Sequence, residues 1–410
     1  MANFEVTKTY TRADRIESVY QYIPFEVPPR TQGITIEMRH QSFSSVIDLG
    51  LFDSVGFRGA SGSERNIVLI AEDTATPGYL AGAIKPGTWF IFIGLHQVGK
   101  EGVSVEVKVT FGKPNFPPEK VQPAMPIRPP RRILKSAKEF RWFAADFHTH
   151  SVHSDGALTI DELAALGTTR GLEILAITDH NTTSHHSFLA ESSKFAGINL
   201  LAGQEVTTDS GHANSFGKHE WIDFREATHS WLEKTKNRGG LLSINHPLSA
   251  PCHWRRDTPE GIHMTELWHS SWDRKSDEPF RWWESNGGAI PIGGSDFHRL
   301  QSECLPGDPT TWVLIDTEDN EVTQEQVLSA LSSGRVAISA NPSAPVVYPF
   351  EDKIIVDDGA GCTLTTPSGK KYVIGRDSES FAGDKGLYTL TDDERTYQAL
   401  GYIGVNLNVI

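Results

Sequence analysis

Apolar and polar positions alternate in short runs along the first 115 residues, and Gly and Pro interrupt these runs. Val103, Val105, Val107 and Val109 have the two-residue period of a strand that buries one face. Short strands separated by turns are typical of a small antiparallel β-sandwich, which we predict for residues 1–115. The predicted strands of this domain span residues 34–38, 46–51, 67–70, 88–95 and 103–111.

A second pattern begins at residue 140, after a proline-rich stretch at 116–139 that predicts a stiff linker. Strand-like apolar runs now alternate with segments of helical period, which predicts an α/β domain with a mainly parallel sheet at 140–345. A Gly-rich, strand-like tail follows at 346–410. The predicted strands of the α/β domain span residues 142–147, 173–178, 198–201, 241–245, 264–268, 289–292, 311–315 and 336–339, and the predicted helices 159–171, 184–196 and 323–333.

Composition narrows the class of protein. The 410 residues carry 38 Lys and Arg against 52 Asp and Glu, a net charge of −14. Because sequence-independent binding of nucleic acid needs a basic surface, a nucleic-acid polymer is not expected as a partner. The sequence has no run of 18 apolar residues and no signal-peptide core, so we expect a cytoplasmic protein without a membrane partner. The oligomeric state stays open, a homo-oligomer included.

The sixteen histidines are concentrated between residues 148 and 298, and many of them follow predicted strands. Six strands of this region end in His, Asp or Glu, and α/β barrels build their active sites at such carboxyl ends. A single His at a strand end is most often a structural residue, but six such ends indicate a shared site. The candidates are His148, His150, Asp155, His180, Glu205, His212, His246, Asp296 and His298.

These residue types favour a metal centre. Imidazole and carboxylate groups together suit Zn²⁺, Mn²⁺ or Fe²⁺, whereas Mg²⁺ and Ca²⁺ prefer oxygen ligands. His148 and His150 lie on the same side of an extended chain, so both imidazoles can reach one ion. Since one ion takes about four or five ligands, nine candidates predict two or three ions that share a bridging carboxylate.

Five motifs in this order resemble those of the PHP (polymerase and histidinol phosphatase) family: HTHSVHSDG, ITDHN, GQEVTT, NHP and GSDFH. The longer runs TDHNTTSHH and GQEVTTDSGHANSFG are similar, more narrowly, to the CehA/McbA-like branch, which includes carbaryl hydrolases. The resemblance covers about residues 143–340 and implies a distorted (β/α)7 TIM-like barrel with a trinuclear metal site.

The resemblance also implies which residues hold which ion. Glu205 would bridge the first and second ions, and every position of the family motifs is present in this sequence. The implied ligands are His148, His150, Glu205 and Asp296 for the first ion, Glu205, His212 and His246 for the second, and Asp155, His180 and His298 for the third.

Such a centre predicts a hydrolase. Adjacent ions suit the cleavage of a phosphoester in a small anionic substrate by metal-activated hydroxide, and this phosphoesterase or phosphatase activity is our leading hypothesis. The same ions could polarise the carbonyl of a carbamate or carboxylic ester, which the branch resemblance favours. A non-catalytic ligand-binding protein is the alternative of another class.

Three further residues are candidates for catalysis, each with a plainer alternative. Asp179 could orient a ligand or cap a helix. His153 could be a general acid or a loop hydrogen-bonding group. Arg225 could bind a phosphate or form a surface ion pair. Five tryptophans near the motifs could line an apolar pocket or pack in the core: Trp254, Trp268, Trp272, Trp282 and Trp283.

Overall fold

The computed structural model describes residues 3–41, 44–118, 120–250 and 252–404. The chain forms two compact units, which we call the sandwich unit and the sheet unit. The sandwich unit comprises Met1–Gln122, Ser151–Gly156 and Asp179–Ser187, and the sheet unit comprises Pro123–His150, Ala157–Thr178 and Phe188–Ile410. The predicted N-terminal domain begins at residue 1 and the predicted C-terminal tail ends at residue 410. Residues 1–2 and 405–410 of these two predictions lie outside the described ranges. None of the described helices is long and apolar enough to cross a membrane.

The sandwich unit has two four-stranded antiparallel sheets, in the orders β1-β8-β3-β6 and β2-β7-β4-β5. Its elements are β1 Phe4–Tyr10, α1 Arg12–Glu17, β2 Tyr20–Val27, β3 Gly33–His40, β4 Val46–Phe52, β5 Phe57–Ala60, β6 Ile67–Ala71, β7 Gly87–Gln97 and β8 Val103–Phe111. Alternate residues of β8, such as Val105 and Val107, enter one apolar core with residues of both sheets. The alternation therefore predicted the sandwich correctly, although β1, β2 and β5 were missed.

The sheet unit begins with a strand-and-helix segment that carries most of the predicted ligands. Its elements are β9 Phe140–Asp146, α2 Ile160–Thr169, β10 Ile174–Ile177, α3 Leu189–Ala196, β11 Asn199–Thr208, β12 Gly211–Phe216, α4 Thr228–Lys236, β13 Leu241–Ile244, β14 Met264–His269, α5 Glu278–Ser285, β15 Ile290–Gly294, β16 Thr310–Asp316, α6 Gln324–Ser332 and β17 Val336–Ser339. The C-terminal strands are β18 Val346–Phe350, β19 Lys353–Asp357, β20 Thr363–Thr365, β21 Lys371–Val373, β22 Ser378–Ala382, β23 Gly386–Thr391 and β24 Tyr397–Ile403.

The main sheet is mixed rather than mainly parallel. Its order is β15-β14-β13-β12-β11-β10-β9-β16-β17-β24-β23-β20-β21. Strands β9, β10 and β11 are parallel, as are β13, β14 and β15, but β12 lies antiparallel between β11 and β13. The prediction missed β12, and β16 also pairs antiparallel with both β9 and β17, so the sheet is mixed on either side of its parallel strands.

The central strands of this sheet are covered on both faces. Trp142 and Ala144 of β9 belong to one apolar cluster, and the alternate residues Phe143 and Ala145 belong to another. Burial on both faces explains why these strands appear in the sequence as continuous apolar runs. The predicted (β/α)7 barrel is not confirmed, because no backbone ladder closes the sheet within the described ranges. The Thr311 hydroxyl of β16 nevertheless hydrogen-bonds to both the N–H and the carbonyl oxygen of Gly293 on β15.

The predicted C-terminal tail is β-rich, but it continues the main sheet instead of standing apart from it. Strand β24 pairs antiparallel with β17, and β23, β20 and β21 follow in order. Strands β18, β19 and β22 form a separate small sheet. Helices α2 and α6 start at the capping residues Thr159 and Thr323, whereas α4 and α5 were missed.

Candidate metal centre

Two histidines follow β9 and open the site. His148 and His150 are fully buried, with ring centroids 5.1 Å apart. Their alternate positions place both imidazoles on the same side of the chain, as the spacing predicted. Both Nε2 atoms lie close to the Asp296 Oδ1 atom, at 3.2 Å from His148 and 2.9 Å from His150.

Glu205, in the middle of β11, is surrounded by histidines. Its Oε1 atom lies 3.2 Å from His148 Nε2, 3.2 Å from His212 Nδ1 and 3.3 Å from His246 Nε2. The antiparallel neighbour β12 carries His212 opposite Thr207, two residues beyond Glu205. Asn245 donates a hydrogen bond to the same Oε1 atom at 2.9 Å. A fully buried carboxylate with this many imidazole neighbours has the environment of a bridging metal ligand.

Asp296 follows β15 and completes this part of the cluster. Its Oδ2 atom lies 3.3 Å from His269 Nε2, and its backbone carbonyl oxygen is 2.7 Å from His298 Nδ1. The His298 ring stacks on that of His150, with centroids 4.2 Å apart. Asp296 and His246 both have left-handed backbones, with φ of 52° and 26°. Non-glycine residues held in this region are strained, and such strain is concentrated at functional sites.

The charges of the cluster shift the pKa values of its members. Burial alone would lower the pKa of His148, but the carboxylates of Asp296, Glu266 and Glu205 raise it well above its ordinary value. Burial would raise the pKa of Asp296, but His148 and His150 hold it well below its ordinary range. Without a metal, the carboxylates are therefore balanced by protons on the histidines, and a cation can replace those protons.

The residues present fit a divalent metal ion. His148 Nε2 and Asp296 Oδ1 are buried atoms without a hydrogen bond, although each lies near groups of the opposite charge. His148, His150 and Glu205 each offer a ligand atom, and these atoms lie within 4.8 Å of one another. The same holds for His148, His246 and Glu266. A mixed imidazole and carboxylate set of this kind suits zinc, manganese or iron.

Two acidic residues of the site were missed by the sequence analysis. Glu266 of β14 lies 2.9 Å from His148 Nδ1 and accepts the N–H of His246 at 2.7 Å. Asp146, at the end of β9, accepts the N–H groups of His148 and Ser295 at 3.1 Å each. Burial raises the pKa of Asp146 to about 6. An acidic residue inside an apolar strand is the signal that could have indicated both, since carboxylates are rarely buried without a partner.

A glycine makes room for this arrangement. A Cβ atom on Gly294 would come within 2.3 Å of Glu266 Oε1 and 2.5 Å of the His148 Cβ atom. The last residue of β15 must therefore be glycine for Glu266 and His148 to approach each other as they do.

The remaining predicted ligands, Asp155 and His180, lie in loops of the sandwich unit. The His180 Nε2 atom is 3.5 Å from Asp155 Oδ1. The loop that carries Asp155 is held by Arg65, whose guanidinium donates to the carbonyl oxygens of Ser154, at 2.9 Å, and Val152.

The candidate catalytic residues have structural contacts of their own. Asp179 accepts from the N–H and hydroxyl of Ser151 and from the hydroxyl of Ser154, so it joins two loops of the sandwich unit. His153 Nδ1 lies 2.8 Å from the Ser184 hydroxyl, and burial lowers the pKa of His153 to about 3. A neutral His153 fits the loop hydrogen bond, and the general-acid role stays a prediction.

Arg225 has a partner two residues away. Its Nε and Nη2 atoms donate to the two carboxylate oxygens of Asp223, at 2.8 and 2.6 Å. This is the ion pair that the sequence analysis set against phosphate binding, and phosphate binding stays a prediction.

A cavity of about 310 Å³ adjoins the cluster within the sheet unit. Its lining includes the polar residues His246, Glu266 and His269 and the apolar residues Leu248 and Trp272. Of the other tryptophans near the motifs, Trp268, Trp282 and Trp283 pack in an apolar cluster, and Trp254 is buried. Only part of the tryptophan set is thus available to a ligand at this cavity.

Parts of this chain match a known protein family and several known proteins. Residues 146–260 match the family model described as PHP domain. An uncharacterized protein of Methanocaldococcus jannaschii is 28% identical over 119 residues, which are 26% of this chain and 70% of that protein. A 5'-3' exoribonuclease of Haemophilus influenzae and a phosphoribosyl 1,2-cyclic phosphate 1,2-diphosphodiesterase of Eggerthella lenta are each 36% identical, over 16% and 15% of this chain. The chain spans less than a quarter of these two relatives, 23% and 24% of their lengths.

Two solved structures are similar to parts of this chain. A two-domain protein of Bacteroides vulgatus, which contains a predicted PHP-like metal-dependent phosphoesterase, is 16% identical; the match covers 68% of this chain and 92% of that one, with a TM-score of 0.42. A protein of Bifidobacterium adolescentis described as a metal-dependent phosphoesterase is 18% identical, covers 40% and 91% of the two chains, and has a TM-score of 0.34.

Proposed function

From the premise that residues 146–260 of this chain are a PHP domain, we propose that it is a metal-dependent phosphoesterase that hydrolyses a small anionic substrate. One observation carries the proposal: His148 Nε2 and Asp296 Oδ1 are buried without hydrogen bonds in a cluster of imidazoles and carboxylates. Leaving such atoms unsatisfied is costly unless a cation is bound there.

The proposed ligands follow the family motifs. His148, His150 and Asp296 would hold one ion, His212 and His246 would hold a second, and Glu205 would be shared by the two. The contacts of Glu205 with four imidazoles support this arrangement. A third ion, held by Asp155, His180 and His298, is proposed from the resemblance to the family. Zinc, manganese or iron fits this donor set.

When bound, divalent ions there would neutralise phosphoryl oxygens and lower the pKa of a coordinated water. The protein's own part is to orient the ligands and to supply protons. Glu266 fixes the His148 ring through Nδ1, which leaves Nε2 directed at Glu205 and Asp296. Fixing one ring nitrogen in this way sets the tautomer and the orientation of a ligand histidine.

We propose that His269 is a hydrogen-bond donor to the substrate. Its Nδ1 atom accepts the N–H of Ser271 at 3.2 Å, so Nε2 is the ring nitrogen that donates. Nε2 lies 3.3 Å from Asp296 Oδ2, and His269 lines the cavity beside the cluster. A substrate oxygen in the cavity can therefore receive a hydrogen bond from this atom.

A carbamate or carboxylic ester is the second candidate substrate. Leu248 and Trp272 line the cavity with apolar groups, against which an aryl leaving group can pack. Asp273 and Glu278 also line the cavity, and their negative charges favour an uncharged leaving group over an anionic one. Both substrates would use the same metal ligands.

The test is a comparison of substrates on metal-loaded protein, after elemental analysis of metal per chain. We expect faster release of nitrophenol from p-nitrophenyl phosphate or its bis-ester than of naphthol from 1-naphthyl N-methylcarbamate, with loss of activity on chelation. Faster naphthol release would assign the second candidate. Turnover of none of these substrates at full metal content would overturn the hydrolase proposal.

A single variant tests the ligand assignment. His148→Ala removes an imidazole that contacts Glu205, Glu266 and Asp296, so we expect bound metal to fall and hydrolysis to drop at least about 100-fold. His229→Ala, at an exposed position on α4, is the matched control. Unchanged metal content in the His148 variant would remove this residue from the ligand set.

A further inference from the structure

A second cavity of about 500 Å³ opens in the sheet unit, and neither the metal ligands nor the proposed reaction uses it. We call it the arginine cavity, because Arg170 and Arg274 line it together with Trp268, Trp272, Cys304 and Asp308. We propose that the arginine cavity binds a small organic anion with a phosphonate, phosphate or carboxylate group.

The charge of the lining favours an anion. Arg170 is already paired, since its Nη2 atom lies 2.6 Å from Asp308 Oδ1. The guanidinium of Arg274 makes no hydrogen bond to any residue in the described part of the chain. Burial raises the pKa of the Cys304 thiol, so this group stays neutral. The lining therefore carries one more positive than negative charge, and a guanidinium is well suited to carboxylate and phosphate groups.

The two cavities are lined by alternate residues of one chain segment. Leu267, His269, Ser271 and Asp273 line the cavity beside the metal cluster. The intervening residues Trp268, Ser270 and Arg274 line the arginine cavity, and Trp272 contributes to both. The two arginines thus belong to the lining of the second cavity, which contains no proposed metal ligand.

The neutral part of the lining adds hydrogen-bonding groups. Ser270, Asn341 and Ser343 carry hydroxyl and amide groups that can donate to further oxygens of the ligand. The indoles contribute less, because Trp268 is 3% exposed and the Trp272 ring stacks on that of Tyr397, with centroids 5.2 Å apart. The lining therefore favours a ligand through its acidic group.

Calorimetric titration of the metal-loaded full chain with phenylphosphonate tests this site. We expect two equivalents bound per chain, one at the metal centre and one in the arginine cavity. Arg274→Ala should weaken the second equivalent at least about tenfold and leave the first unchanged. Arg281→Ala, which removes the same charge from an exposed position on α5, should keep both equivalents. His148→Ala should keep the arginine-cavity equivalent and lose the other.

The proposal is overturned if the unsubstituted chain binds a single equivalent that His148→Ala abolishes. It is also overturned if Arg274→Ala binds two equivalents with unchanged affinity. Neither result depends on turnover, so a failure of the phosphoesterase proposal would be distinguished from a failure of this one.

Discussion

At the scale of single residues, buried carboxylates organise the site as much as the histidines do. The Asp146 carboxylate accepts the backbone N–H of His148, a proposed metal ligand, and does not contact the imidazole of that residue. It also accepts the N–H groups of Ser295 and Gly307, which belong to segments far away in sequence. Three segments are thus tied to one fully buried side chain.

Asp146→Asn should destabilise the protein. Its Oδ2 atom accepts the N–H of Gly307 at 2.8 Å, and Oδ1 accepts those of His148 and Ser295. An amide keeps one acceptor oxygen, so at least one buried N–H loses its partner, at a cost of about 1–3 kcal/mol. Urea denaturation measures the loss. The same change at the exposed Asp316 should cost little, and equal stability of the two variants would contradict the argument.

His219 gives a residue-scale prediction about pH. Burial lowers the pKa of His219, whose ring nitrogens lie 2.8 Å from the Glu220 carbonyl oxygen and the Ser215 hydroxyl. The unfolded chain then takes up a proton near pH 6.5 that the folded protein does not. Stability due to this group is therefore present above about pH 6.5 and is lost as the pH falls.

We expect His219→Gln to reduce this acid sensitivity. The free energy of unfolding of the variant should fall less than that of the unsubstituted protein between about pH 7.5 and 5.5. Denaturation curves at both pH values measure the difference. His229→Gln, at an exposed position, should leave the pH dependence unchanged, and an identical slope for all three proteins would contradict the assignment.

At the scale of elements, the sandwich unit holds the loop that carries a proposed ligand. Arg65 lies just before β6, and its guanidinium binds two carbonyl oxygens of the loop that contains Asp155. The segment Asp179–Ser187, which carries His180, is held in a similar way, since the Gly78 N–H donates to the Ser184 hydroxyl at 3.1 Å. Residues of the sandwich unit thus fix the conformation of the loop that carries Asp155.

Arg65→Ala should weaken metal binding without unfolding the sandwich. Loss of two hydrogen bonds frees the Asp155 loop, and we expect the weakest-bound ion to lose about tenfold in affinity if Asp155 is a ligand. Competition with a chelator measures the affinity. Arg39→Ala, in the exposed Arg39–Glu37 pair of β3, is the control. Arg65→Lys should restore part of the affinity, and equal metal affinity in all variants would remove the positioning role.

The elements also show which features the sequence could reveal. Strands such as β8 and β9 were predicted within two residues of their bounds, because alternation or continuous apolar runs follow directly from burial. Strand β12 was missed, since Gly211–Phe216 is rich in small and polar residues and is buried only by its neighbours β11 and β13. His212 was nevertheless a candidate, on the strength of the motif rather than the strand.

The limits at the site have the same physical origin. Glu266 and Asp146 act through contacts between strands that are far apart in sequence, and a single sequence does not contain the register of those strands. Most of the histidines could be predicted because they follow strands whose ends are visible in the sequence, whereas His212 was found from its motif. Glu266 lies inside β14 and Asp146 is the last residue of β9, and only the fold shows which groups these two carboxylates meet.

At the scale of the whole molecule, the cluster connects strands across much of the sheet unit. Its members follow or belong to six strands: β9, β11, β12, β13, β14 and β15. The first and last of these members, His148 and His298, are 150 residues apart in sequence. In the metal-free protein, the buried carboxylates of Glu205 and Glu266 and the partly exposed one of Asp296 lie together with histidines that must share protons to balance them. A bound ion would replace this arrangement with direct bonds between distant segments.

Metal removal should therefore lower the melting temperature. A ligand that binds only the folded state stabilises it by about 2.7 kcal/mol at one hundred times its Kd and about 4.1 kcal/mol at one thousand times. For a protein of this size, this corresponds to a shift of about 3 to 7 °C in Tm. Calorimetry with and without chelator measures the shift, and returned metal should restore the Tm. His148→Ala should show a smaller metal-dependent shift, whereas the exposed control His229→Ala should keep the full shift. An unchanged Tm after verified metal removal would mean that protonated histidines stabilise the cluster as well as bound metal does, and it would contradict the prediction that metal stabilises the fold.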